Sequence, residues 1–319
     1  MIISASRRTD IPAFFSDWFL RRLQEKQVYV RNPMNCHQVS LIDLSEDVVD
    51  CIVFWSKNPA PMLKNLSRLD PYLYLFQFTL NAYGPGPEPG IPPLEDRISV
   101  FRHLSERIGK DRVIWRYDPV LITGTYTVSW HIRQFCLLAE ALAPWTDTCV
   151  FSFLDLYAGI SGALKRHGIR EPDPEEQRIL AEHFSSAAHS LGLEINTCAE
   201  AGDFSEFHIG HGACIDRDRI SRLLGCSLKA EKDRGQRAGC QCVSSIDIGM
   251  YGTCPAGCIY CYASGNPSRT CRKGVACGGT SPLLCGDLTV EDRITVRKMK
   301  SLKDPQLSLF SLPPFRREE

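Results

Sequence analysis

The stretch SSIDIGMYGTCPAGCIYCYA, residues 244–263, decides how the rest of the chain is read. It sets Cys254, Cys258 and Cys261 in a C-x3-C-x2-C spacing directly after a short apolar run, residues 246–250. Three thiolates this close on a tight turn suit three corners of a cubane iron–sulfur cluster, with the fourth iron left open to a ligand. A structural zinc site would need four ligands and usually two C-x2-C-like knuckles, with Cys258 and Cys261 as one and Cys240 and Cys242 as the other. A thioredoxin-like C-x-x-C pair leaves Cys254 without a role. The spacing, with Tyr260 just before Cys261, fits the three-cysteine cluster best.

Upstream of this stretch, strand-like and helix-like segments alternate. Apolar runs at residues 2–6, 51–55, 72–80, 113–115, 150–154 and 193–198 read as strands, and residues 246–250 as a seventh. Helical patterns fall at residues 94–108 and 128–142, with another that Asp173 caps, Pro174 opens and Gly192 ends. Residues 28–30 and 39–42 form a small hairpin around Asn32, Pro33 and Asn35. Strands alternating with helical crossovers predict an α/β fold, a parallel (β/α) barrel or partial barrel, over residues 1–266. Residues 201–245 break the alternation and read as an irregular, Cys-rich insertion. A turn-rich extension, residues 267–319, ends in a flexible tail.

In such barrels functional groups gather at the C-terminal ends of the strands. Here the strand ends carry Arg7, Arg8 and Asp10, then Lys57 and Asn58, Gln77 and Thr79, Arg116 and Asp118, Ser152 and Asp155, and Cys198 and Glu200. Strand ends that merely meet solvent would explain one or two of these sets, and less well their recurrence at all six. The loop at residues 83–93 contains G-P-G-P-E-P-G, a superficial glycine fingerprint. Its prolines and the missing helix argue against a phosphate cradle.

The chain has 319 residues, and its 44% hydrophobic content is enough for a real core. No apolar run approaches the ~20 residues of a membrane span. The opening residues carry no secretory signal, which predicts a cytoplasmic protein with no membrane partner. Its fifteen cysteines are then not expected to pair as disulfides. Cys51, Cys136 and Cys149 fit as buried apolar thiols. The crowding of cysteines after residue 210 points to metal. Cys198, Cys214, Cys240 and Cys242 make a complete ligand set for a second cluster or a zinc ion, with separate free thiols as the plain alternative. Cys271, Cys277 and Cys285 stay unassigned.

The pattern C-x3-C-x-aromatic-C resembles the signature of radical S-adenosylmethionine enzymes. That resemblance implies a [4Fe-4S] cluster on Cys254, Cys258 and Cys261, and S-adenosylmethionine chelated to its open iron. Tyr260 would lie against the adenine, and an electron donor such as flavodoxin or ferredoxin would be needed. Reductive cleavage of the cofactor would release a radical that abstracts hydrogen. In that superfamily the motif follows the first strand; here it follows the last, which implies a circular permutation. The longer stretches ISASRRTDIP, FWSKNP, WRYDP and CAEAGDF are similar to an uncharacterised bacterial domain-of-unknown-function family related to these enzymes. Arg116-Tyr117-Asp118-Pro119 also resembles a strand end in spore photoproduct lyase, suggesting Arg116 and Asp118 as catalytic groups; a structural ion pair is the alternative.

The net charge is zero, so a polyanion would have to be held by a local patch. Residues 217–237 hold seven basic and three acidic residues, and Arg297, Lys298, Lys300 and Lys303 form a basic run. Beyond it Gln306, Leu307, Ser308, Leu309 and Phe310 resemble the pentapeptide that docks bacterial DNA polymerases and repair proteins onto the sliding clamp. The reading is a radical enzyme acting on nucleic acid, in DNA repair or modification, and tethered to the clamp. A radical enzyme of small-molecule or peptide metabolism, and a non-catalytic zinc or cluster protein, are the alternatives.

Overall fold

The structure, a computed structural model, describes residues 1–237, 239–264 and 276–304. Its strands in chain order are β1 (Ile2–Ala5), β2 (Gln27–Asn32), β3 (Asn35–Asp43), β4 (Cys51–Ser56), β5 (Tyr74–Thr79), β6 (Val113–Val120), β7 (Thr148–Phe153), β8 (Glu194–Cys198), β9 (Gly210–Gly212), β10 (Ile246–Asp247) and β11 (Arg293–Val296). The helices are α1 (Ile11–Phe14), α2 (Ser16–Gln24), α3 (Ala60–Leu63), α4 (Leu94–Ile108), α5 (Val128–Leu142), α6 (Ser161–Arg166), α7 (Pro174–Ser190) and α8 (Arg217–Leu224).

Eight strands form one sheet in the order β10-β1-β4-β5-β6-β7-β8-β9. Each neighbouring pair runs parallel. The last of them in sequence, β10, lies beside the first, with Ile3 opposite Ile246 and Ser4 opposite Asp247. The expected α/β architecture is therefore present.

Side-chain alternation along the strands divides the core into two layers. Ile3, Ala5, Ile52, Phe54, Phe76, Phe78, Trp115 and Phe151 pack with α2, α4, α5 and α7. Ile2, Cys51, Val53, Leu75, Ile114 and Val150 point the other way and meet Cys214, Ile215, Ile220, Cys240, Cys242 and Val243. Burial on both faces explains why the strands read as unbroken apolar runs, such as Cys51-Ile52-Val53-Phe54.

Residues 201–245 contribute to that second layer. The segment supplies β9, which extends the sheet beyond β8, and α8, which covers its second face. Asp216 caps α8 through the amides of Asp218 and Arg219. The buried Arg219 guanidinium fastens the helix to the carbonyl of Asp111 at 2.8 Å, to the Asp147 carboxylate at 3.0 Å and to the Thr148 hydroxyl. Short strand β9, with glycines at both ends, carries too little periodicity to show in sequence.

The helices α4 and α5 keep the bounds that the pattern predicts, and α7 begins with a full capping box between Asp173 and Glu176. Strand β6 is longer than expected, because its ladder continues through Arg116 and Tyr117, opposite Val150 and Phe151. The β2–β3 hairpin is joined by β11, parallel to β3. Residues 276–304 are thereby part of the fold: Ser301 and Leu302 also bond to the buried Asp50 carboxylate. Cys277 and Cys285 form a disulfide, contrary to the expectation for the cysteines. Cys271 and the clamp-like residues 306–310 lie outside the described residues.

Candidate functional site

A cavity of about 620 Å³ opens at the C-terminal ends of the strands. It is lined by Arg7, Arg8 and Asp10 after β1, Lys57 after β4, Thr79 of β5, Arg116 and Asp118 of β6, Ser152 and Asp155, and Cys198 of β8. Cys214, Cys240, Cys242, Cys254, Cys258, Cys261 and Tyr260 line it too. Every predicted ligand and catalytic residue thus reaches one cavity. Asn58, Gln77 and Glu200 of the predicted strand ends do not line it. Gln77 is buried and donates to the Cys214 carbonyl at 2.9 Å, and Glu200 accepts from the Phe153 amide at 2.9 Å.

The loop holding Cys254, Cys258 and Cys261 begins where β10 ends. Asp247 anchors the junction, accepting hydrogen bonds from the hydroxyls of Ser4 and Ser6 at 2.7 Å and from the Arg7 amide at 2.8 Å. Beyond it, residues 84–90 clasp the loop: Gly90 N–H donates to the Ala256 carbonyl at 2.9 Å and Ile259 N–H to the Pro87 carbonyl at 3.1 Å. A Cβ on Gly90 would stand 2.6 Å from the Ala256 oxygen, so only glycine allows the approach. Burial pushes the Cys254 thiol up to about 11 and Cys258 up to about 12, with Lys57 opposing the second shift. Both stay protonated until a metal displaces the proton.

Under this loop lies a group that sequence reasoning missed. Glu88 is 1% exposed; it accepts from Lys57 Nζ at 2.8 Å and from the Tyr260 hydroxyl, and lies 3.8 Å from the Arg97 guanidinium. Its Oε2 and Arg97 Nη1 have no hydrogen-bond partner among the described residues. Lys57 Nζ sits 5.5 Å from the Tyr260 ring centroid. The one available signal was that Glu88 is the sole charged residue of the glycine- and proline-rich loop. Asp10, with its carboxylate bonded to the amides of Ala13 and Lys57, is raised to about 6 by burial.

Another wall of the cavity carries the other four cysteines. Cys198 Sγ lies 3.1 Å from Cys214 Sγ. Cys242 lies beside Cys214 and Cys240, and accepts from the Ile215 amide at 3.4 Å. Arg116 Nη1 donates to Cys214 Sγ at 2.8 Å, while its Nη2 and Nε bond to Asp118 at 2.5 and 3.1 Å. Asp118 also accepts from the Ser152 hydroxyl. Arg7 stacks its guanidinium 5.0 Å from the Trp55 ring centroid. Among the described residues, no three His, Cys, Asp or Glu side chains enclose a single metal-ion position; the four thiols form a strip.

The cavity mouth is aromatic and basic. Tyr157 and Tyr262, 38% and 45% exposed, pair with ring centroids 5.3 Å apart. A second cleft, of about 350 Å³, shares Arg7, Arg8 and Asp247 with the cavity and adds Arg31 and Arg297. Arg31 is held by Asp292, and Arg8 lies 3.8 Å from Asp247.

The model of the family described as Domain of unknown function (DUF1848) matches residues 2–263. The chain belongs to that family. No curated protein and no solved structure matches it. No helix among the described residues is long and apolar enough to cross a membrane.

Proposed function

We propose that this member of the DUF1848 family is a radical S-adenosylmethionine enzyme acting on nucleic acid. The observation that carries the reading is the placing of Cys254, Cys258 and Cys261 at the C-terminal mouth of an eight-stranded parallel sheet. They follow β10, the strand that pairs with β1. A motif moved by circular permutation from the start of the chain would keep that place in the sheet.

The residues fit the cofactors. Three free thiols, Cys258 buried and Cys254 and Cys261 half-buried, offer three iron ligands and no fourth from the same loop. Arg7 Nη2 and Thr9 Oγ1 are buried polar atoms without hydrogen-bond partners among the described residues, on residues that line the cavity. They suit a cofactor that bears a carboxylate and an amine. Cys254, Cys258 and Cys261 would hold a [4Fe-4S] cluster, with Tyr260 beside the bound S-adenosylmethionine. Together these groups would supply one-electron chemistry that removes hydrogen from an unactivated position, fed by a donor of the flavodoxin or ferredoxin type.

The chain's own part is to orient and to exclude water. Glu88 fixes the Tyr260 hydroxyl and neutralises Lys57 beneath the loop. Arg116 and Asp118, assigned as catalytic groups from sequence, bond chiefly to each other and to Cys214 and Ser152. We assign them to positioning that wall. The basic cleft favours phosphates, and the exposed Tyr157–Tyr262 pair offers a platform on which bases stack. Residues 306–310 would tether the protein to the sliding clamp.

Anaerobic reconstitution with iron and sulfide, followed by reduction in the presence of S-adenosylmethionine, is the test. Formation of 5′-deoxyadenosine, abolished in Cys258→Ala, is expected. Zinc alone, or no cofactor cleavage, leaves a non-catalytic metal protein and overturns the reading. For the substrate, single-stranded oligonucleotides should bind with an affinity that falls steeply with salt, and Tyr262→Ala should weaken binding by ~1–3 kcal/mol. Failure to bind them points to small-molecule or peptide metabolism. Deleting residues 306–310 should abolish capture by the sliding clamp.

A further inference from the structure

Cys198 at the end of β8, Cys214 just beyond β9, and Cys240 and Cys242 before β10 come from three stretches of chain onto one wall of the cavity. We propose that they hold a second metal centre, an iron–sulfur cluster with four thiolate ligands, facing the same cavity as the Cys254–Cys258–Cys261 loop. The inference does not depend on radical chemistry at that loop.

Buried cysteines are common as small apolar residues, and Cys51 and Cys149 behave so, each embedded among apolar neighbours. The four on this wall differ in what they touch. They contact one another in the sequence Cys198, Cys214, Cys242, Cys240, with none of them in a disulfide. One buried guanidinium is aimed at their sulfurs, Arg116 at Cys214 at 2.8 Å, and Arg7 lines the same cavity. A neutral thiol is a weak acceptor for a buried cation. Burying guanidinium groups against sulfur is favourable when the sulfurs are metal-bound thiolates carrying net negative charge.

The arrangement distinguishes a cluster from a zinc ion. Zinc sites of four cysteines use paired knuckles with two to four residues between ligands. Cys240 and Cys242 have one intervening residue, and Cys198 and Cys214 are far apart in sequence. A cubane gives each thiolate its own iron. Seating one requires the 3.1 Å Cys198–Cys214 contact to open, which rotation about χ1 provides. N–H···S bonds from Arg116 and the Ile215 amide are the kind that raise a cluster's reduction potential. The site therefore suits one-electron traffic into the shared cavity.

The test begins with the full chain carrying Cys254→Ala, Cys258→Ala and Cys261→Ala, purified and reconstituted anaerobically. About four iron and four sulfide per chain should remain, with the charge-transfer absorption of a cubane. Adding Cys240→Ser and Cys242→Ser should remove them while circular dichroism stays unchanged. Should the double serine variant unfold, Arg116→Lys in the triple background provides the second measurement: iron is retained and the reduction potential falls. Iron near zero in the triple variant, zinc in its place, or a Cys198–Cys214 disulfide without metal would each overturn the proposal. None of these outcomes bears on whether the wild-type loop cleaves S-adenosylmethionine.

Discussion

The loop with Cys254, Cys258 and Cys261 draws its thiols from one turn of chain, whereas the strip of Cys198, Cys214, Cys240 and Cys242 is assembled by the fold. The two also differ in what surrounds them. The loop rests on an apolar cluster with Tyr83, Leu121, Ile160 and Leu164, and a single buried carboxylate, Glu88, gathers the charges beneath it. The strip lies against the second face of the sheet and meets the Arg116 guanidinium directly at the Cys214 sulfur. A local ligand set can be held by packing its loop; a dispersed one depends on every strand that delivers a ligand. Damage to the loop's support should therefore stay local, while damage to the strip should spread.

The largest effect expected on the loop side comes from Glu88→Ala. It leaves Lys57 and Arg97 as buried cations without their carboxylate, which costs about 3–5 kcal/mol. Thermal denaturation should show the loss, and iron bound by the loop should fall while iron bound by the strip persists. Equal loss at both sites would break the comparison. On the strip side, Arg116→Met removes the donor to Cys214 and strands Asp118, with an expected cost of about 3 kcal/mol. Here both metal contents should drop, because β6 lies in the middle of the sheet.

Acid should act on the loop side too. His131 is fully buried, bonded to the Tyr117 hydroxyl at 2.9 Å and the Leu121 carbonyl at 2.8 Å, and it packs on Tyr83. Burial lowers its pKa from 6.5 to about 4. Between those values the unfolded chain binds the proton and the folded one does not. Stability is thus full above about pH 6.5 and falls as pH drops toward 4, by about 3 kcal/mol. His131→Gln should flatten that part of the stability–pH curve; an unchanged slope would assign the acid loss to other groups.

The same contrast explains what could be read in advance. Helices α4 and α5, the strand run and the loop's cysteine triad depend on neighbours in sequence, so their periodicity and spacing show directly. The four strip cysteines could be named as a set but not joined, because only strand order brings residue 198 beside residue 214. The covering role of residues 201–245 was hidden for a related reason. Short β9 has no alternation, and half of α8 is charged, with its apolar Ile220, Leu223 and Leu224 too few to mark a buried face. Glu88 was missed because a glycine- and proline-rich loop has no register from which to tell where a side chain points.

The smallest predicted effect is the sharpest probe of the loop. Gly90→Ala adds one methyl group, whose carbon would fall 2.6 Å from the Ala256 oxygen and 2.9 Å from its Cα. Those are backbone atoms, so no side-chain rotation relieves the clash, and either residues 84–90 or the cysteine loop must move. Overpacking of this kind costs about 1–3 kcal/mol. Because the hydrogen bond from Gly90 to Ala256 and that from Ile259 to Pro87 clamp the loop on both sides of Cys258, a shift there should loosen the thiols before it loosens the fold. Native-state hydrogen exchange should then show faster exchange at Gly90 and Ile259 than in the wild type. Strand amides of β6 and β7 should be unaffected, and the strip should keep its metal. Unchanged exchange at both loop amides would mean that residues 84–90 merely lie beside the cysteine loop and do not hold it.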